Sequence, residues 1–347
     1  VLANIGNDQL KWETTKRLNM GFDLNMFNNR LGLSFDYFFA NTDNLLVTKT
    51  LSGVGGLKNY LTNDGKMKNQ GYSLSLRVKA LELKDFAWEV YGSIGHYKNE
   101  VTALPDGDKD IATSLYGGEV LTRKGQPLGV FYGYKTAGVF ATSEEAAEAN
   151  LHNNRENGSV FKAGDVHFVD QDGNHVIDAN DKTIIGDPNP DIYGNFGTML
   201  KYRKWQLTAQ FAYSVGNDIY NYQRAVLENG GTLYNQTTAL LNRWVNEGQV
   251  TNVPRATMGD PMENSRFSDR WIEDGSYLKL KTLKLSYTHP LNLTWIQGFT
   301  ANNLFTITKY LGSDPEVSVG SSPLYQGIDR GLLGQGRSFV LGVKINL

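Results

Sequence analysis

Residues 16–39 read KRLNMGFDLNMFNNRLGLSFDYFF, and their period of two decides the fold. Leu18, Met20, Phe22, Leu24 and Met26 are apolar, while Asn19, Gly21, Asp23 and Asn25 between them are small or polar. Successive side chains of a strand point to opposite faces, so this is a strand with one apolar face. After the turn FNNR the pattern resumes with Leu31, Leu33, Phe35, Tyr37 and Phe39 against Gly32, Ser34 and Asp36. It recurs at Tyr72, Leu74, Leu76, Val78 and Ala80, at Trp88, Val90 and Ile94, at Phe196, Thr198, Leu200 and Tyr202, and at Trp205, Leu207, Ala209, Phe211 and Tyr213. It closes the chain at Phe339, Leu341, Val343, Ile345 and Leu347. Segments 277–288 and 299–309 have the length and the β-forming residues but a blurred alternation, which makes nine strands in all.

The connections alternate in length. Short ones are expected at 28–30, 84–85, 203–204 and 290–296, and long ones at 41–70, 98–192, 214–276 and 310–336. A transmembrane β-barrel has this asymmetry, with short periplasmic turns and long extracellular loops. The fold class expected is therefore all-β, an antiparallel transmembrane β-barrel. Leu18, Met20, Phe22, Phe35, Leu76, Leu207, Phe211, Leu341 and Val343 should face lipid. A large soluble β-protein would alternate as well. Its difficulty is the partner face of Asp23, Asp36, Arg77, Lys79, Glu89, Gln206 and Gln210, which suits a hydrated lumen, and the segregation of loop lengths.

Composition agrees. The chain has 347 residues, a net charge of -2, and 34 Lys and Arg residues without a run, so no nucleic-acid footprint is present. It contains no cysteine, which removes thiolate metal sites, disulfides and a cysteine nucleophile. Mean hydropathy is -0.39 with no apolar run long enough for a spanning helix, and spanning strands leave no such run. The start VLANIGNDQLKWETT has no basic or apolar leader pattern and reads as part of something longer.

Within the longest connection lies DQDGNHVIDAND, residues 170–181. Its spacing is that of a twelve-residue calcium loop: Asp170, Asp172, Asn174 and Asp181 as side-chain ligands, Asp178 directly or through water, and Val176 through its carbonyl. His175 replaces the glycine expected at the sixth place, and Asp181 replaces the bidentate glutamate. An Asp/Asn/Gly-rich turn without metal is the alternative. If the segment is extracellular, millimolar calcium would occupy a weak site and staple a loop that no disulfide can hold.

Catalytic patterns are missing. His96, His152, His167, His175 and His289 form no zinc-binding spacing, and neither a nucleophile elbow nor a phosphate loop occurs, so an enzyme is not expected. The glycine cluster at 52–56 reads as loop, and TSEEAAEANLHNN begins with a capping box and reads as a short surface helix. The long connections do carry aromatic residues suited to stacking on sugars or peptide side chains. Tyr132, Tyr134, Tyr220, Tyr222, Tyr234 and Trp244 are the substrate-binding candidates; any one taken singly reads better as packing one loop on another, and only the collection argues for binding.

Several stretches resemble a known family: LKWETTKRLNMGFDLNMFNNRLGLSFDYF, KNQGYSLSL, QPLGVFYGYKTAGVF, GDVHFVDQDGNHVIDANDKTIIGDPNPDIYGNFG, SYLKLKTLKLSY and NNLFTITKYLGSDPEV. They are similar to the C-terminal half of the SusC/RagA-type TonB-dependent outer-membrane transporters of Bacteroidetes. The resemblance implies an outer-membrane location, a 22-stranded barrel of which these strands are the last nine or so, and a plug through which TonB acts. It also implies a SusD-like surface lipoprotein as partner and import of oligomeric nutrients, glycans ahead of peptides. The sequence departs from the family pattern at Asn174-His175, where Asp-Gly is usual, and its last residue is Leu347, where many outer-membrane barrels have an aromatic residue. A calcium-stabilised surface adhesin or lectin-like β-protein is the rival function.

Overall fold

The computed structural model describes residues 7–50, 59–155, 158–289 and 294–346. Nine strands form one antiparallel sheet: β1 (Thr14–Met26), β2 (Leu31–Thr50), β3 (Asn59–Glu82), β4 (Phe86–Ala103), β5 (Ile192–Tyr202), β6 (Trp205–Val215), β7 (Tyr277–His289), β8 (Thr294–Thr308) and β9 (Ser338–Asn346). Each strand pairs with its neighbour in sequence, so the order is a simple meander. In a meander alternate connections fall at the same end. The backbone shows it directly: the amide of Lys79 donates to the Arg30 carbonyl, Arg203 to Asp85, and Thr288 to Lys204. The short turns thus lie side by side, and the long connections emerge from the other end.

Register fixes the faces. One ladder row crosses the sheet from Met26 through Leu31, Val78, Val90, Thr198, Ala209, Leu283 and Ala301 to Phe339. The neighbouring row carries Leu24, Leu33, Leu76 and Gly92, and all nine residues expected to face lipid lie on this one face. Met26 ends β1, whereas β9 runs on from Phe339 to Asn346. That drift of about seven residues over eight inter-strand steps, at ~3.3 Å per residue and ~4.8 Å per step, inclines the strands by roughly 30° to the line of the turns. Strands of outer-membrane barrels tilt similarly. Near the short turns the apolar face bears Trp88, Tyr202 and Trp205, all exposed, and Tyr287, whose ring is tilted against Trp205 at 4.8 Å. Eight residues further along β6 stands Tyr213, so the apolar band between the aromatic rows is roughly 25 Å tall, a bilayer's requirement.

The blurred alternation of the seventh and eighth strands has a physical cause. A bulge at Lys281, facing Asn303 and Leu304, shifts the register between Leu280 and Thr282. The bulge turns Lys279 and Lys281 inward while Leu283 and Leu285, of the same sequence parity, face outward.

Three expected boundaries need correction. Residues 41–70 are not mainly loop: β2 and β3 run on as a paired ribbon through Thr50↔Asn59, because Thr48↔Leu61 and Val47↔Thr62 continue the ladder. The longest connection starts at 104, since β4 extends to Ala103, and β8 already begins at Thr294. The glycine cluster at 52–56 and the turn at 290–293 lie outside the described residues.

Connections 104–191, 216–276 and 309–337 fold together into one cap with a hydrophobic interior. Phe140, Ala146, Leu151, Phe161, Val166, Phe168, Ile177 and Met262 form one buried cluster. Val120, Phe131, Tyr220, Trp271 and Ile328 form a second, drawn from all three connections. The short helix Ser143–Ala149 has the expected capping box, with the Thr142 hydroxyl accepting from the Glu145 amide at 3.1 Å.

Candidate functional site

The acidic turn 170–181 sits on the first cap cluster. Ile177 points into that cluster, fully buried, while carboxylate oxygens of Asp170, Asp172 and Asp181 converge within 4.8 Å of one another. Asp170 accepts amide hydrogens from Gly173 and His175, each at 2.8 Å. His175 has φ of +62°, so it adopts the left-handed conformation that the sixth position demands even without being glycine. Asn174 joins the group by donating its side-chain amide to Asp172 at 3.1 Å. Asp178 instead caps the 179–181 turn, accepting from the Asn180 amide at 2.7 Å, and lies outside the converging trio. Val176, expected to ligate through its carbonyl, donates its amide to the Asn174 side-chain oxygen at 2.6 Å and pairs with His152 in a short parallel ladder.

The charges of this turn are unbalanced. Burial pushes the Asp181 carboxyl above its ordinary pKa, and the negative charges of Asp170 and Asp172 add to the push against two amide hydrogen bonds. For Asp170, burial also acts upward, but backbone hydrogen bonds from His175, Gly173 and Asn174 outweigh it and hold the group below its ordinary value. A divalent cation among the three would relieve the repulsion and favour all three charged forms. The donor set, oxygen only, fits calcium or magnesium chemistry.

The aromatic candidates fare unevenly. Tyr220 is buried in the second cluster, donates to the Tyr116 carbonyl at 2.9 Å, and has its phenol pKa pushed up by burial. Tyr222 packs against that cluster and meets the Tyr116 ring at 5.7 Å. Tyr134 packs edge-on against Phe168 and lies under the Arg266 guanidinium. Trp244 donates its indole N–H to the Ala141 carbonyl at 3.1 Å and covers Gly164. Tyr220 is enclosed by the cap interior, whereas Tyr134 and Tyr222 pack against it and, like Trp244, stay partly exposed. Tyr132, half-buried beneath Arg123, and Tyr234, 75% exposed, retain free area. The six do not form one site.

Two polar seams that tie the cap to the sheet were missed from sequence. At the top of β4, Tyr97 and Asn99 both donate to the Asn189 side-chain carbonyl, at 3.2 and 3.0 Å, and Gln326 donates to Tyr97 Oη and the Pro188 carbonyl. On β7, the almost fully buried Lys279 ammonium donates to Asp314 at 2.9 Å and Glu316 at 2.6 Å, with Lys281 also on Glu316. The partners are 35 or more residues apart, so no local spacing betrays them.

A family profile described as "TonB dependent receptor-like, beta-barrel" matches residues 2–143. TonB-dependent receptor P3 of Formosa agariphila is 34% identical over 99% of this chain and 35% of its own length. TonB-dependent receptor SusC of Bacteroides thetaiotaomicron is 28% identical over 98% of the chain and 32% of its own. Among solved structures, the RagAB peptide transporter superposes with a TM-score of 0.79 at 27% identity, covering 98% of this chain and 36% of that one. The chain carries part of a TonB-dependent receptor β-barrel, and the relatives that match along its whole length are SusC-type receptors. It spans about a third of the length of the curated relatives it matches and is an outer-membrane barrel portion. The match makes the short-turn, long-loop polarity of the sheet that of a barrel wall, and the soluble-sheet reading falls away.

Proposed function

We propose that this chain forms the wall and outer cap of an active importer of oligomeric nutrients. The single observation that supports it is the cap: three long connections at one end of a membrane-spanning sheet, folded around their own core and pinned to its inner wall. On this reading the cap lies outside the cell above the lumen, TonB acts through a plug supplied by the rest of the receptor, and a SusD-like lipoprotein closes over the cap. Glycans are the first substrate class, since neutral amides and phenols line the inner seam of Tyr97, Asn99, Asn189 and Gln326. The likeness to a peptide transporter favours peptides as the second reading. Calcium in the 170–181 turn has a structural role, holding the strand-entry segment 182–191 against the cap.

The test is deletion of the receptor gene in its host, followed by growth on a panel of defined oligosaccharides and oligopeptides. Loss of growth on one oligomer class, with growth on its monomers retained and uptake abolished by a protonophore, supports active import. Unchanged growth on every oligomer would remove the transport reading.

A further inference from the structure

Beside the acidic turn, residues 155, 229–232 and 259–266 line a cleft of about 370 Å³, within the roughly 300–1,000 Å³ of small-ligand sites. Two guanidiniums converge there on one carboxylate. Arg155 donates Nε and Nη2 to Glu263 Oε1 at 2.9 and 2.7 Å. Arg266 Nη2 approaches Glu263 Oε2 at 2.9 Å but is buried without an aligned hydrogen bond.

The two sides of this contact differ in kind. Arg266 is fixed: its side chain is 8% exposed, its guanidinium lies 4.9 Å from the Tyr134 and Phe168 ring centres, and its remaining bonds, to the Glu263 and Ile177 carbonyls, are long at 3.3 and 3.4 Å. Glu263 is removable: its side chain is 36% exposed and its backbone is left-handed at φ +56°. A buried guanidinium whose one strong partner can swing into water is a receptor with a resident occupant. Around it, Asp260 is saturated by the Asn264 and Ser265 amides and the Ser265 hydroxyl. The Thr232 hydroxyl and the Asn229 side-chain N–H have no hydrogen-bond partner among the described residues and line the same space.

We propose that this cleft binds the carboxylate of an acidic oligomer, which displaces Glu263 and takes its place between Arg155 and Arg266. Arginine suits this role because its fork matches a carboxylate in two-point contact. Thr232 and Asn229 then meet the hydroxyls or amides next to the acid. The carboxylate belongs to a uronic acid residue or to a peptide C-terminus, and as a substrate site the cleft rests on the importer reading above.

The experiment is calorimetry at low salt on the intact receptor in detergent, with a galacturonic acid trimer, a trialanine peptide, the methyl ester of the trimer and the amide of the peptide. One of the two acids should bind, at least tenfold more tightly than its neutral counterpart, and which one identifies the source. Arg155→Gln, at a half-exposed position, should weaken that binding about tenfold or more. Glu263→Gln, which removes the resident charge, should tighten it several-fold. No acid binding by the wild type and Glu263→Gln, equal binding of acid and neutral ligand, or unchanged affinity in Arg155→Gln would each overturn the proposal. Binding in detergent needs neither TonB nor a lid. Acid-specific binding combined with receptor-independent uptake would therefore sink only the transport reading, and receptor-dependent uptake without acid preference only the cleft.

Discussion

The wall and the cap are held together by opposite means. In the wall, every residue of β1 is solvent-accessible in the isolated chain, and Leu18, Met20 and Phe22 are exposed without a covering layer. The cap buries Phe131, Phe168, Trp271 and Ile177 almost completely. The wall is a hydrogen-bonded ladder that takes its apolar partner from lipid, whereas the cap behaves as a water-soluble domain with its own core. One chain thus obeys two solvents, and a substitution should register in one region and leave the other standing.

The largest effect is expected in the cap core. Trp271→Ala should cost about 3–5 kcal/mol of local stability, read as faster trypsin cleavage within 104–191, 216–276 and 309–337 while the wall keeps its resistance to unfolding in cold detergent. Simultaneous loss of that resistance would show that the two regions are one cooperative unit. Next comes the lipid face: Ala209→Arg, midway between Trp205 and Tyr213 on β6, should cost about 2–4 kcal/mol. The control is Thr208→Arg on the inner face, opposite Lys284 and Met199, expected to stay within about 0.5 kcal/mol. Equal penalties in detergent-refolding titrations would mean the face assignment is inverted.

A smaller effect is predicted for the acidic turn. Calcium at ten times its dissociation constant would stabilise the cap by about 1.4 kcal/mol, seen as slower cleavage of the turn with calcium than with chelator. Asp170→Ala combined with Asp172→Ala should abolish the difference, and a turn equally sensitive in all three conditions is a polar turn without metal. The smallest change concerns the helix Ser143–Ala149, where Thr142→Ala should cost about 1 kcal/mol, measurable as faster amide exchange there and nowhere in the wall.

The wall was legible in the sequence because a period of two is imposed locally, residue by residue, by the pleat. Leu18 to Met26 announce their face without reference to any other strand. Where the sequence misled, something non-local intervened. The bulge at Lys281 scrambled the parity of β7 to satisfy Asp314 and Glu316, far along the chain. The ribbon through Thr48 and Leu61 is polar enough to pass for loop, since above the bilayer neither face needs to be apolar. Within the cap, the acidic turn was visible from spacing, but the burial of Tyr220 and the packing of Trp244 over Gly164 follow from connections meeting, which no local pattern encodes. Arg266 carries no sequence signal either: its place is set by Tyr134 and Phe168.

The unequal strand lengths give the barrel a stepped rim. β2, β3 and β4 have 20, 24 and 18 residues, while β5 and β6 have 11 each and β9 has 9. At ~3.3 Å per residue the tall strands rise some tens of ångströms beyond their neighbours. Above Gly95 the ladder to β5 stops, and cap residues take over that flank of β4, with Gly125 and Gln126 bonding the Val101 backbone. The tall strands therefore act as a mast to which the cap is lashed. This stretch of wall therefore stands tall at β2, β3 and β4 and low at β5, β6 and β9, and the cap fills the step between the two levels.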